Sequence, residues 1–226
     1  MDIDASNLNR SLPLRDQIYH KVRGLIVSGQ MKPGEAINEM AIAQSLGVSR
    51  TPVREAVKRI SDEGLVNVFA QTGTFVARIS IRDIEEAYVI RNALEMESAR
   101  RAADKLAPAQ AEALEDNIAA HRTAIARGRY SDAIQLDDIF HRTIAEVNGF
   151  HMLWRAVDIS KAQMDRGRYL AIPKPGYGEQ TIQQHQAILK ALQRHDGEAA
   201  ATAMREHLNT SLRNTLEVAA ANNAFG

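Results

Sequence analysis

The apolar positions up to residue 62 recur at helical spacing in three short runs. Ile18, Val22, Leu25 and Ile26 share one face of a helix predicted over 14–28, closed by Gly29 and the Lys32-Pro33-Gly34 turn. Asn38 caps a second helix over 39–46, with Ile42 and Leu46 inward and Gly47 as its stop. A third helix is predicted from Thr51 as N-cap and Pro52 as first helical residue to Asp62, burying Val53, Ala56, Val57 and Ile60. The period then shortens. Leu65 to Phe69 and Thr74 to Val76 flank Gln71-Thr72-Gly73 and read as a β-hairpin, with Gly73 supplying the positive φ of the turn.

Beyond residue 78 the pattern is almost wholly helical. Spans of 81–103, 108–127, 130–147, 150–168, 179–195 and 197–219 are predicted, with residues 168–178 as the longest irregular loop because they hold Pro173, Pro175, Gly176 and Gly178. The expected fold is therefore mainly α: an N-terminal winged helix-turn-helix with a small β-hairpin wing, then a C-terminal all-α bundle of about six helices. The expected division is a tail at 1–9, a first domain at 10–78, a linker at 79–82, a second domain at 83–220 and a tail at 221–226.

Composition narrows what such a chain does. The 226 residues carry 28 Lys and Arg against 28 Asp and Glu, so a nucleic-acid site must be a local patch. Cysteine is absent, which excludes disulfides, a thiolate metal site and a cysteine nucleophile. The polar start, with Asp2 and Asp4, lacks the pattern of a secretory signal, and no apolar run reaches membrane-spanning length. A soluble cytoplasmic protein with no membrane partner is expected.

One local patch is basic. Between residues 49 and 59, Arg50, Arg54, Lys58 and Arg59 are opposed only by Glu55. Two helices joined through Gly47-Val48-Ser49, followed by a hairpin, place the second helix in a DNA major groove. Arg50, Thr51, Arg54 and Lys58 share one face of it. A guanidinium reading guanine is worth about 1–3 kcal/mol of discrimination, and Ser49 with Thr51 sits where a helix N-terminus holds a phosphate. The plainer alternative is a solvated basic helix face.

Six of the seven histidines fall in the second half. Asp137 and His141 are four apart on one predicted helix. His185 and His207 each border an apolar stripe on another helix. Three imidazoles and a carboxylate suit zinc, nickel, manganese or iron. The alternative is that each is an ordinary hydrogen-bonded histidine.

The run Gly47-Val-Ser-Arg-Thr-Pro-Val-Arg-Glu-Ala56, with Gly64-Leu65-Val66 and Gly73-Thr74-Phe75-Val76, resembles the winged-helix domain of the GntR family of bacterial regulators. The resemblance implies DNA contacts from Arg50 and Arg54, and a wing tip at Gly73 that reaches the minor groove. Family members often carry a basic residue where this chain has Met40, and arginines where it has Gln71 and Thr72. The second half resembles the FCD effector domain joined to one branch of that family, with six expected helices favouring the vanillate-regulator-like subgroup over the fatty-acid-regulator-like one. In that resemblance Asp137, His141, His185 and His207 form the metal set, zinc first. His121, His151 and His195 have no role in it. Arg91, in Arg91-Asn-Ala-Leu94-Glu95, meets the effector's carboxylate, Asn148 lies near the cavity, and Glu95 braces a neighbour.

The expected function follows: a homodimeric repressor on an imperfect palindrome of double-stranded DNA, released by a small organic acid bound beside a divalent metal. No catalytic residue is assigned. The rivals are a metal-dependent enzyme acting on a small acid, for which no separate base or nucleophile is found, and a regulator whose metal is purely structural.

Overall fold

The three helical runs and the alternating pair fold together as a first compact unit that ends at Ile79, in a computed structural model that describes residues 8, 9 and 11–220. The expected tails at 1–9 and 221–226 lie outside the described residues, apart from Leu8 and Asn9. The helices are α1 (Leu14–Val27), α2 (Glu39–Leu46) and α3 (Arg50–Asp62). Strands β1 (Val66–Phe69) and β2 (Gly73–Val76) pair antiparallel, with Val66 opposite Val76 and Phe69 opposite Gly73. Ile18, Val22 and Ile26 of α1 are buried together with Val53, Val57 and Ile60 of α3, the stripes that the 3.6-residue period predicts.

Two details differ from the sequence reading. The N-cap of α3 is Ser49, not Thr51, so Pro52 sits third in the helix. The position tolerates proline because first-turn N–H groups have no intrahelical acceptor in any case. Residues 34–37, read as part of a turn and cap, instead add a rung beside β2. Ile37 N–H donates to the Thr74 carbonyl at 2.8 Å and Val76 N–H to the Glu35 carbonyl at 2.9 Å. That pairing covers the outer edge of the small sheet.

The second unit begins at Ser80, whose hydroxyl accepts from Asp83 N–H and so caps α4 (Ile81–Ala102). It continues through α5 (Pro108–Ala126), α6 (Tyr130–Val147), α7 (His151–Ser160), α8 (Ala162–Ala171), α9 (Tyr177–Gln193) and α10 (Gly197–Ala219). Phe140, Ile144, Leu114, Ile188, Leu192, Met204 and Leu208 make its apolar core. The helix predicted over 150–168 is broken at Lys161 into α7 and α8. The loop predicted at 168–178 shrinks to residues 172–176. Ile172 still has helical geometry (φ −57°, ψ −30°), and α8 ends before Pro173, which has no N–H to carry the ladder on, whereas Gly178 lies within α9. No helix among the described residues is long and apolar enough to cross a membrane.

Candidate metal centre and nucleic-acid interface

In the first unit the residues chosen for DNA all face outward. Ser49, Arg50, Thr51, Arg54, Lys58 and Gly73 are exposed. Arg54 and Lys58 make no ion pair among the described residues. Arg50 Nη2 lies 3.6 Å from Glu39 Oε2, an exposed pair worth little and easily exchanged for a phosphate. Arg59, counted with the basic run, points elsewhere. Its guanidinium lies 3.5 Å from the centre of the Tyr19 ring and 3.4 Å from Asp16, so it braces α3 on α1. Burial, with Glu63 accepting from the hydroxyl, pushes Tyr19 up to about 12. Met40 is half exposed, and Gln71 at the wing tip takes φ of 65°.

In the second unit three helices carry the proposed ligands to one place. Asp137 and His141 share the inner face of α6, His185 projects from α9 and His207 from α10. All four are buried, and one donor atom from each lies within 4.8 Å of all the others. His141 Nε2 and His207 Nε2 are 3.1 Å apart. Asp137 Oδ2 is 3.7 Å from His141 Nε2, and Asp137 Oδ1 is 3.4 Å from His185 Nε2. Metal–ligand bonds of about 2.0–2.2 Å put the corners of a four-coordinate site roughly 3.3–3.6 Å apart. The three shortest separations, 3.1, 3.4 and 3.7 Å, bracket that span, and the set as a whole extends to 4.8 Å.

The surrounding groups orient them. His141 Nδ1 lies 2.5 Å from Glu95 Oε2, an ion-pair distance outside good hydrogen-bond alignment. His207 Nδ1 lies 3.1 Å from Gln184 Oε1. Both contacts favour a proton on Nδ1 and leave Nε2 as the lone-pair donor toward the centre. The His185 ring stacks on Phe140, with centroids 4.0 Å apart and planes 7° from parallel. Asp137 Oδ2 is paired with Arg168 Nη2 at 2.6 Å, but Asp137 Oδ1 and both ring nitrogens of His185 lack a well-aligned hydrogen bond despite burial. Such groups are costly without a partner, and a bound cation satisfies them together.

The electrostatics agree. Burial would raise the Asp137 carboxyl, but the Arg168 guanidinium, with His185 and His141, holds it well below the usual carboxylate range. Burial lowers His185, and it lowers His207 well below the ordinary imidazole value, helped by neighbouring rings. Burial would also raise Glu95, yet Arg91 and then His141 pull it down to about 2. His185 and His207 are therefore held toward the neutral form and Asp137 toward the ionised one, the states that bind metal.

The expected effector residues sit behind this centre. Arg91 is buried, with Nε 2.5 Å from Glu95 Oε1 and Nη1 3.7 Å from Met164 Sδ. Asn148 donates to the carbonyls of Ser98 at 2.9 Å and Ile144 at 3.2 Å. Neither lines the adjacent half-open cavity of about 40 Å³, whose walls include His121, Asp137, Arg168, Tyr177, Ser211 and Asn214. His121 and Arg168 had no assigned role. His121 belongs to the buried stripe Leu114, Ile118, His121 of α5, a spacing visible in the sequence. Arg168 stands where the helix predicted over 150–168 meets the loop predicted over 168–178, so the sequence pattern gives it no face.

Residues 14–76 match the gntR family of bacterial regulatory proteins, and residues 86–210 match the FCD domain. The chain is 35% identical over 203 residues to the HTH-type transcriptional repressor RspR of Escherichia coli (strain K12), covering 90% of this chain and 89% of that one. It is 28% identical over 211 residues to a probable D-xylose utilization operon transcriptional repressor of Paenarthrobacter nicotinovorans, covering 92% and 91%. Among solved structures, Escherichia coli McbR/YncC superposes with a TM-score of 0.81 at 22% identity over 91% of this chain and 98% of that one, a likeness of fold.

Proposed function

The chain belongs to the GntR family, as a DNA-binding transcriptional regulator with an FCD ligand domain, and on that premise we propose that it is a repressor released from its operator by a small organic acid bound beside a divalent metal. The observation that carries the metal part is the buried set Asp137, His141, His185 and His207, with two rings already turned by Glu95 and Gln184. Zinc is the first choice for three imidazoles and a carboxylate, with nickel, manganese and iron as alternatives. When bound, the ion supplies positive charge that attracts and orients an effector carboxylate.

The protein acts as a cytoplasmic homodimer. Two copies of α3 enter successive major grooves of an imperfect palindrome, where Arg50, Arg54 and Lys58 contact bases or phosphates, Ser49 and Thr51 hold phosphate, and Gly73 brings the wing to the minor groove. Arg91 and Asn148 support the effector from the side of α4 and α6. The vanillate-regulator-like subgroup is proposed on the sequence resemblance alone, since α4 to α10 are seven helices where six were expected. The exposed Met40 and the Gln71-Thr72 wing tip mean fewer cationic contacts than the family pattern, and hence a shallower salt dependence of DNA affinity.

Native mass spectrometry with elemental analysis of the freshly purified protein tests this reading. A dimer with one divalent ion per chain, whose affinity for a selected operator duplex falls when the copurified small acid is added back, is the expected result. A dimer that stays metal-free after zinc, nickel or manganese is supplied overturns the metal assignment while leaving the DNA-binding one in place.

A further inference from the structure

We infer that Arg168, rather than Arg91, is the principal anchor for the effector's carboxylate, and that the cavity beside it selects hydroxylated acids. The inference deepens the proposed function and rests on its effector reading. Of the described residues lining the cavity, Arg168 is the single cation and Asp137 the single anion. Arg91 is enclosed and already held by Glu95. Arg168 Nη2 lies 2.6 Å from Asp137 Oδ2, and its Nη1 donates to Asp165 Oδ1 at 3.1 Å. The two charges cancel on the cavity wall. Once Asp137 shares its carboxylate with a divalent ion it is a weaker partner for Arg168, and the wall gains net positive charge. An incoming carboxylate then competes for the guanidinium fork on favourable terms.

The rest of the lining points to hydroxyl groups on the ligand. His121 is buried and both its ring nitrogens lack a hydrogen bond. Thr215 is buried and its Oγ1 is unpartnered. Ser211 and Asn214 line the same space from α10. These groups donate and accept at once, which suits alcohols and is wasted on an alkyl chain.

Arg168 is also placed to report the event. An added Cβ on its neighbour Gly167 would lie 2.2 Å from Thr215 Cγ2, so α8 and α10 are in closest contact there. At the other end of α8, Lys161 Nζ lies 2.8 Å from Asp138 Oδ2. Two adjacent carboxylates of α6 thus clamp both ends of α8. An anion that takes Arg168 opens one clamp and leaves the other shut, which frees that helix to pivot.

Titration calorimetry on the zinc-loaded full chain tests the inference, with L-malate and D-gluconate as probes and with succinate and hexanoate as their hydroxyl-free counterparts. Wild type is expected to bind a hydroxylated probe more tightly than its counterpart. Arg168→Gln should weaken that binding roughly 30-fold or more, with zinc content unchanged. Arg168→Lys keeps the charge without the fork, guards against misfolding, and should also weaken it. Ser211→Ala should narrow the gap between gluconate and hexanoate without touching any buried charge. Unchanged affinity in both Arg168 variants, with loss in Arg91→Gln, overturns the inference and keeps the effector reading. Failure of wild type to bind any of the four at millimolar concentration overturns both.

Discussion

The two units of this protein handle charge in opposite ways. In the first, the core is apolar and Arg50, Arg54 and Lys58 of α3 stand in solvent. In the second, the buried polar and charged residues run from Arg91 to Thr215 and include Glu95, Asp137, His141, Lys161, Asp165, His185 and His207. The first unit gains stability from burial of Ile18, Val22, Val53 and Ile60 and keeps its cations hydrated until a phosphate displaces the water. The second desolvates its ions in advance and offsets that cost with mutual pairing, the arrangement needed where a small ligand must be gripped among packed helices. A surface built for a polyanion tolerates loose side chains. A chamber for a small acid requires donors held within fractions of an ångström.

Three perturbations bear on this contrast, and the largest concerns Arg91. Arg91→Met leaves Glu95 buried against His141 without its strongest cation, and should cost about 3–5 kcal/mol in the denaturant unfolding of the second unit. A loss below 1 kcal/mol on that ordinary surface scale would show that the buried pair is not structurally committed.

Acid should act next, again on the second unit alone. His121 is lowered to about 4, chiefly by burial. A folded-state value below the unfolded one near 6.5 means that the unfolded chain takes up the proton first. Stability is therefore full above about pH 6.5 and is lost as pH falls toward 4, by up to about 3 kcal/mol. The metal-free protein, melted across that range, should show this slope, and His121→Phe should reduce it by the His121 share, leaving that of His185 and His207. A slope unaltered by the substitution would assign the acid sensitivity to other groups.

The smallest effect on stability belongs to the first unit. Arg54→Ala removes an exposed side chain with no ion pair among the described residues, and should shift unfolding by no more than about 0.5 kcal/mol. The same change should weaken operator binding by about 1–3 kcal/mol if Arg54 reads a base. Fluorescence anisotropy on matched and mismatched duplexes measures the second number. Intact DNA affinity in a fully folded variant would remove Arg54 from the interface.

Much of this protein was legible along the chain because its signals are local. The stripes of α1 and α3, the cap at Asn38, the hairpin at Gly73 and the exposed face carrying Arg50, Arg54 and Lys58 each depend on residues within a few positions of one another. Asp137 and His141 were legible as a pair for the same reason. That His185 and His207 join them was carried by family resemblance, since spacing alone left them as ordinary histidines. The tertiary structure decided what no local pattern encodes. It packs α8 against α10 at Gly167, extends to Ala171 the helix predicted to end at 168, and brings Arg168 to Asp137. It encloses His121 beside the same cavity, and it pairs Arg91 with Glu95 before any ligand arrives. Periodicity settles which face of a helix is apolar. Which ion ends up beside which depends on the three-dimensional packing of helices far apart in sequence, where the cost of burying a charge selects its partner.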